Sequence, residues 1–553
     1  MEKVRIMALG GLDEDGRNMT VIEINEQIII IDAGLKYPEN NVLGVEMIIP
    51  NFQYLVENQH KILGIFITHA HDDVMGALPY LIKEINIPIY TAPFTALVID
   101  SILKSHGLKG YKVHRIKRYG NLNVGKLKVK TFGLTHSIAD TFGIAIYTEQ
   151  GYIVHASEYI IDFDISESSP YDCDITEFAD LGKKNVLMLM TESKSSDRPG
   201  FTSPRHRISS QLERYIENSE GRVIVTLYEQ NLFRLMEVID LAVKHKRKLY
   251  FANENQRQYL NNLSQLKYFQ FPVGMEIRNP SFHNDLDDVI IVVSEQGPKV
   301  FRLMHTIATG DHSTIRLREG DTVVICSPVV PGAEKDASKM EDELYKDGVH
   351  VATLNREDVL TMHPSAEDLK MMLQLLKPSY YIPLKGDYRQ LVNNATLALN
   401  RGYYADHIIV LDNGQVATFE DGQFKSMSEF VTIEEVLIDG NESLDSSGLV
   451  LRDRESLATD GAIIIGIVID FQTKEILGGP DVQSRGVIYL KDADYVVKEC
   501  GKIMEQVILK QVAEKRYENM AARTEAREQM VKYVQKMTGK RPMILPVIIE
   551  INP

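Results

Sequence analysis

Ile62 to Thr68 reads ILGIFIT and runs directly into Thr68-His69-Ala70-His71-Asp72-Asp73. A short apolar run of this kind is a buried strand, and the polar residues that follow form the loop at its end. Such a loop aims two imidazoles and a carboxylate, His69, His71 and Asp73, at one point, a donor set that suits a borderline divalent metal. A lone His-x-His also arises by chance on a polar loop. The strand end and the attached acids favour the metal reading.

The same grammar extends through residues 1 to 208, where apolar runs such as Gln27 to Asp32 (QIIIID) end at Gly and Asn/Asp turns, so this stretch is the first part of one α/β domain. From 209 to 356 helical stretches such as Ser209 to Glu217 alternate with strands such as Arg222 to Thr226 and Asp288 to Val293, which predicts an inserted α/β domain. Strand signals return at Tyr380 to Pro383 and Ile408 to Leu411, so residues 357 to 427 complete the first domain. Residues 428 to 448, with Asp439-Gly440-Asn441 and Ser446-Ser447-Gly448, read as a linker. Residues 449 to 553 read as a C-terminal α/β domain: strands Ala462 to Asp470, Gly486 to Tyr489 and Met543 to Ile551, with a long charged helical region from Asp492 to about Met537.

The 553 residues exceed what one core usually spans, and 44% apolar with 25% charged residues is ordinary for a packed protein. Three scattered cysteines give neither a thiolate metal site nor a disulfide framework, and a reducing cytoplasm is the expected compartment. The N-terminus lacks a signal-peptide pattern and no run reaches roughly 18 apolar residues, which excludes membrane insertion as an expectation. A net charge of -16 repels polyanions, so any nucleic acid requires a locally basic channel.

His69 to Val74 resembles the HxHxDH signature of the metallo-β-lactamase fold, whose first two histidines serve one metal and whose Asp-His pair serves a second; here Val74 stands where the last histidine belongs. His136, in Thr135-His136-Ser137 after the strand Leu127 to Phe132, resembles the next histidine ligand. Glu158, in His155-Ala156-Ser157-Glu158-Tyr159, stands where that fold has a bridging aspartate, and Lys385, in Pro383-Leu384-Lys385-Gly386-Asp387-Tyr388-Arg389, where it has its last histidine. The resemblance thus implies one metal held by His69, His71, His136 and Glu158, with only Asp73 and a share of Glu158 left for a second. An ammonium repels a metal; Lys385 either supplies part of the missing positive charge or marks a site released from selection.

The inserted domain, Met362-His363-Pro364-Ser365-Ala366-Glu367 and Leu376-Lys377-Pro378 resemble the β-CASP nucleases, and the order of segments, with Asp32-Ala33-Gly34-Leu35, Arg198-Pro199-Gly200, Ser484-Arg485-Gly486 and Arg541-Pro542-Met543, is similar to the ribonuclease J family over essentially the whole chain. The resemblance implies a metallo-β-lactamase αββα sandwich with an inserted β-CASP domain and a small C-terminal assembly domain. It also implies that Val359, Leu360, Thr361, Met362 and His363 bind the RNA phosphate, that His363 helps protonate the leaving group with Asp73 as a catalytic partner, and that Asn231 and Arg234 survive from a phosphate motif whose histidine is now Phe233. Pro364 replaces a glycine and removes an N–H that could have held phosphate.

Because the departures fall on catalytic positions, the chain is most similar to the degenerate second paralogue of Gram-positive bacteria. The implied function is RNA processing and decay, 5'-to-3' exonucleolytic with endonuclease capacity, in rRNA maturation and mRNA turnover. Catalysis would be weak and carried out beside an active paralogue, with one zinc or manganese ion at most or none. A homodimer or tetramer and membership of an RNA-degradation complex are further expectations of the resemblance. The alternative is a scaffold or allosteric subunit without catalysis of its own.

Overall fold

A computed structural model describes residues 2–38, 44–166, 169–279, 284, 286–330, 332–346, 348–354, 359–440, 442–443, 449–487 and 494–552. The chain divides into two compact units, one of Met1–Asn40 with Met47–Val436 and one of Asn41–Glu46 with Leu437–Pro553.

Two sheets face each other in the first unit. One has eight strands in the order Gln423–Phe430, Gln415–Glu420, Lys3–Gly10, Met19–Ile24, Gln27–Ile31, Ile62–Ile67, Ile89–Thr91 and Val113–Arg115. The other has six, in the order Tyr380–Leu384, Val186–Glu192, Gly151–Ala156, Phe142–Thr148, Leu127–Gly133 and Gly120–Val124. Alternating residues of both, among them Ile6, Ile29, Phe66, Ile144, Met188 and Ile382, fill the space between them. The second sheet's outer face is covered by the helices Ile175–Gly182, Ala366–Leu376 and Tyr388–Asn400 through Phe178, Leu369, Leu373 and Ala398. Pro383 lies on the edge strand of its sheet, where a missing N–H is tolerated. The fold class is the expected mixed α/β sandwich with helices outside.

The inserted segment forms its own five-stranded parallel sheet, ordered Lys248–Phe251, Val289–Glu295, Val223–Tyr228, Thr322–Ile325 and His350–Thr353, with all of its strand pairs parallel. Helices such as Leu232–Lys244 and Lys299–Ala308 cover it, as all-parallel sheets require. Arg222 is fully buried there and held by Asp321, with Nε to Oδ1 at 2.9 Å.

Several local expectations change. Ile408 to Leu411 is not a strand; it makes an isolated bridge to Tyr381 and then turns through Asp412–Gln415. Strands Gln423–Phe430 and Val436–Asp439 enter the expected linker, and Asn441 and residues 444–448 lie outside the described residues. In the second unit the strand expected at Gly486 to Tyr489 is instead Ile476–Arg485, and residues 488–490 are outside the described ones. The long helical region is two helices, Asp494–Ala513 and Asn519–Thr538. The break is made by Lys515 in the left-handed region and by the Glu518 carboxylate, which accepts from Met520 N and Ala521 N as a helix cap. These helices cover one face of the sheet Ile476–Arg485, Ala462–Asp470, Met543–Ile551.

Candidate metal centre

The strand Ile62–Ile67 delivers His69 from its end, and His71 stands one residue before the helix Asp72–Met75. His136 follows the strand Leu127–Gly133, and Glu158 follows Gly151–Ala156. Three loops from two sheets therefore converge. Glu158 Oε2 lies 3.1 Å from His69 Nε2, 3.0 Å from His136 Nε2 and 3.7 Å from His71 Nδ1. One donor atom from each of the four residues lies within 4.8 Å of the others.

Each imidazole is oriented by a bond on its far side. His69 Nδ1 is 3.0 Å from Thr68 Oγ1, whose hydroxyl donates to Asp32 Oδ2. His136 Nδ1 donates to the Met362 carbonyl at 2.8 Å, and His71 Nε2 is 3.2 Å from Ser137 Oγ. The partners of His69 and His136 leave their Nε2 atoms facing the cluster as lone pairs, and His71 presents Nδ1 to it, the arrangement a metal-ligating histidine needs. Burial holds His69 well below its usual value and His136 down to about 4, against the pull of Glu158, so both are neutral at pH 7. The donor set therefore fits a divalent cation.

The other oxygen of Glu158 is engaged. Lys385 Nζ donates to Glu158 Oε1 at 3.1 Å and lies 3.7 Å from Asp32 Oδ2. Burial alone would raise the Glu158 carboxyl and lower the Lys385 ammonium. The facing charges win: Lys385 holds Glu158 well below its usual value, and Glu158 and Asp32 raise Lys385, so the pair is ionised.

Asp73 does not join the four donors. Its Oδ2 accepts from Asn18 Nδ2 at 3.0 Å, its carbonyl accepts from Asn18 N and Nδ2, and burial together with the Glu158 charge pushes its carboxyl up to about 7. Val74 is fully buried, and its carbonyl accepts from Ala33 N. The Asp32–Leu35 turn fits against this loop only with glycine at 34, because a Cβ there would come 1.6 Å from the Asp73 carbonyl oxygen.

In the expected phosphate-binding segment, Val359, Leu360 and Met362 are buried, and only Thr361 and His363 are partly exposed. His363 Nδ1 is 3.0 Å from Glu192 Oε2. Burial pushes His363 down to about 3, and burial with the Glu158 charge raises Glu192 well above its usual value, so both directions favour a neutral acid–imidazole hydrogen bond. Asn231 caps the helix Leu232–Lys244 by accepting from Arg234 N. The buried Arg234 guanidinium donates to the Cys326 and Leu360 carbonyls, fixing the Val359–His363 segment. Phe233 packs between Tyr171, His206 and Arg207.

Sequence reasoning missed two contacts. Gln230, on the inserted domain, pairs reciprocally with Asp72: its Oε1 accepts from Asp72 N at 3.2 Å and its Nε2 donates to Asp72 Oδ1 at 2.9 Å. Lys194 pairs with Asp15 at 2.7 Å, and its charge is the second cause of the low His363 value. The only sequence signal for the first was the proximity of Gln230 to the Asn231 motif.

Comparison with known proteins follows the same order of segments. Residues 12–100 match the metallo-beta-lactamase superfamily, 220–344 the Ribonuclease J beta-CASP domain and 449–551 the Ribonuclease J C-terminal domain. The chain is 31% identical over 555 residues to Ribonuclease J 2 of Staphylococcus epidermidis, covering 99% of this chain and 98% of that protein. It is 30% identical over 550 residues to Ribonuclease J 2 of Staphylococcus aureus, again covering 99% and 98%. A crystal structure of a protein of unknown function from Enterococcus faecalis aligns with TM-score 0.52 at 16% identity, covering 75% of this chain and all of that one, which speaks to fold alone.

Proposed function

The chain belongs to the ribonuclease J family, and from that premise we propose that it is an RNA-processing and decay protein whose own hydrolytic centre holds a single divalent ion, zinc or manganese, and is weak. The observation that carries this is the split use of Glu158. One oxygen faces three imidazoles and the other faces an ammonium. His69, His71, His136 and Glu158 would hold the ion. When bound, it supplies Lewis-acid charge toward a phosphodiester. Lys385 contributes one fixed positive charge beside it but no vacant coordination position.

Glu192 holds the His363 ring, and Thr361 and His363 are the partly exposed members of their segment. Met362 links that segment to His136 through its carbonyl, so substrate contact and ligand orientation are mechanically joined. Phe233 offers an incoming phosphate no hydrogen bond, and Pro364 offers no N–H.

The reading includes work beside an active paralogue in the cytoplasm. Free cysteines Cys173, Cys326 and Cys500 suit a reducing compartment, and among the described residues no helix is long and apolar enough to cross a membrane. Assembly has its support in the C-terminal unit: the sheet face opposite its helices exposes Ile464, Leu477, Leu545, Val547, Ile549 and Ile551, an apolar patch of the kind that marks an interface. That face also favours the second reading, a scaffold or allosteric subunit.

The test is decay of 5'-monophosphorylated RNA by purified protein with manganese, beside the His69→Ala/His71→Ala variant, with metal content measured on both. The proposal expects at most one ion per chain and slow decay that disappears, with the ion, in the variant. Neither ion nor decay in either sample leaves the scaffold reading. Two ions per chain would refute the single-ion centre.

A further inference from the structure

Between Asp100 and Asp140 the sequence carries nine lysines and arginines and not one Asp or Glu, in a chain of net charge -16. Arg115, Arg118 and Lys130 pair with Asp100, Asp172 and Glu177. Lys104, Lys109, Lys112, Lys117, Lys126 and Lys128 are exposed and, among the described residues, make no ion pair. The stretch runs through the last strand of each sheet, Val113–Arg115 and Gly120–Val124, and on into the neighbouring strand Leu127–Gly133, which carries Lys128 and Lys130.

Beside it lies a groove of about 390 Å³ lined by Asn121, Leu122, Asn123, Lys128, Val129, Lys130, Tyr147 and Tyr152. Strand register aligns Asn123, Lys128, Tyr147 and Tyr152 in one row across four strands. At about 4.8 Å between strands, the row spans about 14 Å. The two tyrosine rings are 5.4 Å apart, Lys128 Nζ is 5.9 Å from the Tyr147 ring and Lys184 Nζ 5.4 Å from the Tyr152 ring. Rings flanked by unpaired lysines give a single strand both of its handholds: flat surfaces for unstacked bases and cations for phosphates. A duplex, with its bases already stacked, would use only the cations.

We infer that this row and the basic edge beside it form a holding surface for single-stranded RNA, separate from the metal centre; the inference rests on RNA being the ligand of the proposed function. The test is fluorescence anisotropy of a labelled 20-nucleotide single-stranded RNA in EDTA over a salt series, which reports binding without cleavage. In Lys126→Ala/Lys128→Ala the slope of log affinity against log salt should flatten by about 1.4, from about 0.7 per lost single-strand phosphate contact. Tyr147→Ala/Tyr152→Ala should weaken binding at least fivefold, taking about 1 kcal/mol as the low end for a stacked base. Tyr147→Phe/Tyr152→Phe, which keeps the rings, should bind as wild type and separates stacking from misfolding. Wild-type affinity and slope in both alanine variants would overturn the surface and leave the proposed function standing. No RNA binding by the wild-type protein would overturn both.

Discussion

Replacing Lys385 with methionine keeps the length of the side chain and removes its charge, leaving the Glu158 carboxylate facing the three imidazoles alone. At 3.1 Å and an effective dielectric of 20 the lost attraction is about 5 kcal/mol, with about 4 more from Asp32 at 3.7 Å. Desolvation of the buried ammonium offsets much of this, and breaking a buried pair costs about 3 kcal/mol net at the low end of its usual range. The unit containing the site has roughly 430 residues. At about 2.1 cal/mol/K per residue its unfolding entropy is about 0.9 kcal/mol/K, so the Tm of the metal-free variant should fall by about 3 °C. Zinc or manganese at a hundredfold excess over Kd returns about 2.7 kcal/mol, and the variant, with one cation fewer beside Glu158, should gain more from the metal than wild type does. Differential scanning fluorimetry in EDTA and then with each metal measures both effects. Equal Tm values in EDTA, or a larger metal gain in wild type, would refute the assignment of Lys385 as the cation that neutralises Glu158.

Acid stability should report on Asp162, which accepts from Arg207 at 2.7 Å and Ser203 at 3.0 Å and lies 3.3 Å from His206. Burial alone would raise its carboxyl, but His206 and Arg207 hold it well below the usual range. A depressed carboxylate stabilises the fold above its unfolded value of about 3.9, and the contribution is lost as pH falls through the folded value. The Tm gap between wild type and Asp162→Asn should therefore be full at pH 6 and begin to narrow below about pH 4; a gap that stays constant to pH 3 would refute it. Gln230→Ala removes two hydrogen bonds on Asp72, one of them to a carboxylate. At about 1.5 kcal/mol the loss should speed amide exchange from Asp72 to Met75 roughly tenfold by hydrogen exchange mass spectrometry, and unchanged protection would show that Gln230 does not latch the inserted domain.

The four donors were legible because each follows an apolar strand, and strand ends are where an α/β sandwich places polar groups. The strand and helix alternation of the inserted domain was legible from period and run length, whereas the double sheet came only from the resemblance to the metallo-β-lactamase fold and the parallel pairing of the inserted sheet from neither. What sequence could not give was which donor each neighbour would take. Asp73 sits next to the cluster in sequence, yet its carboxylate is turned to Asn18, because the helix that begins at Asp72 sets its direction. Asn231 and Arg234 carry phosphate-binding chemistry, but a helix N-terminus and two loop carbonyls use it. The break between the two C-terminal helices was hidden because it rests on Lys515 and Glu518, with neither Gly nor Pro at the break.

The three positions that the sequence pattern reads as departures from family histidines are all fixed by their surroundings. Val74 is absorbed into the core with its carbonyl bonded to Ala33, Lys385 is bound into the Glu158–Asp32 pair, and Phe233 is packed among Tyr171, His206 and Arg207. The Val74 side chain is enclosed in the core and the Lys385 and Phe233 side chains are held by partners, so a histidine at any of these positions does more than add a ligand. Val74→His would bury a polar ring in an apolar position, and Lys385→His would leave two carboxylates without their ammonium. Through shared Glu158 these costs are coupled, and the effects of the two substitutions should not add. With a divalent ion bound, the Val74→His/Lys385→His pair should be less unstable than the sum of its single variants; in EDTA it should be at least as unstable as that sum. A double-mutant cycle in Tm under both conditions reads this directly, and additivity in both would mean that the two positions no longer act on a common centre.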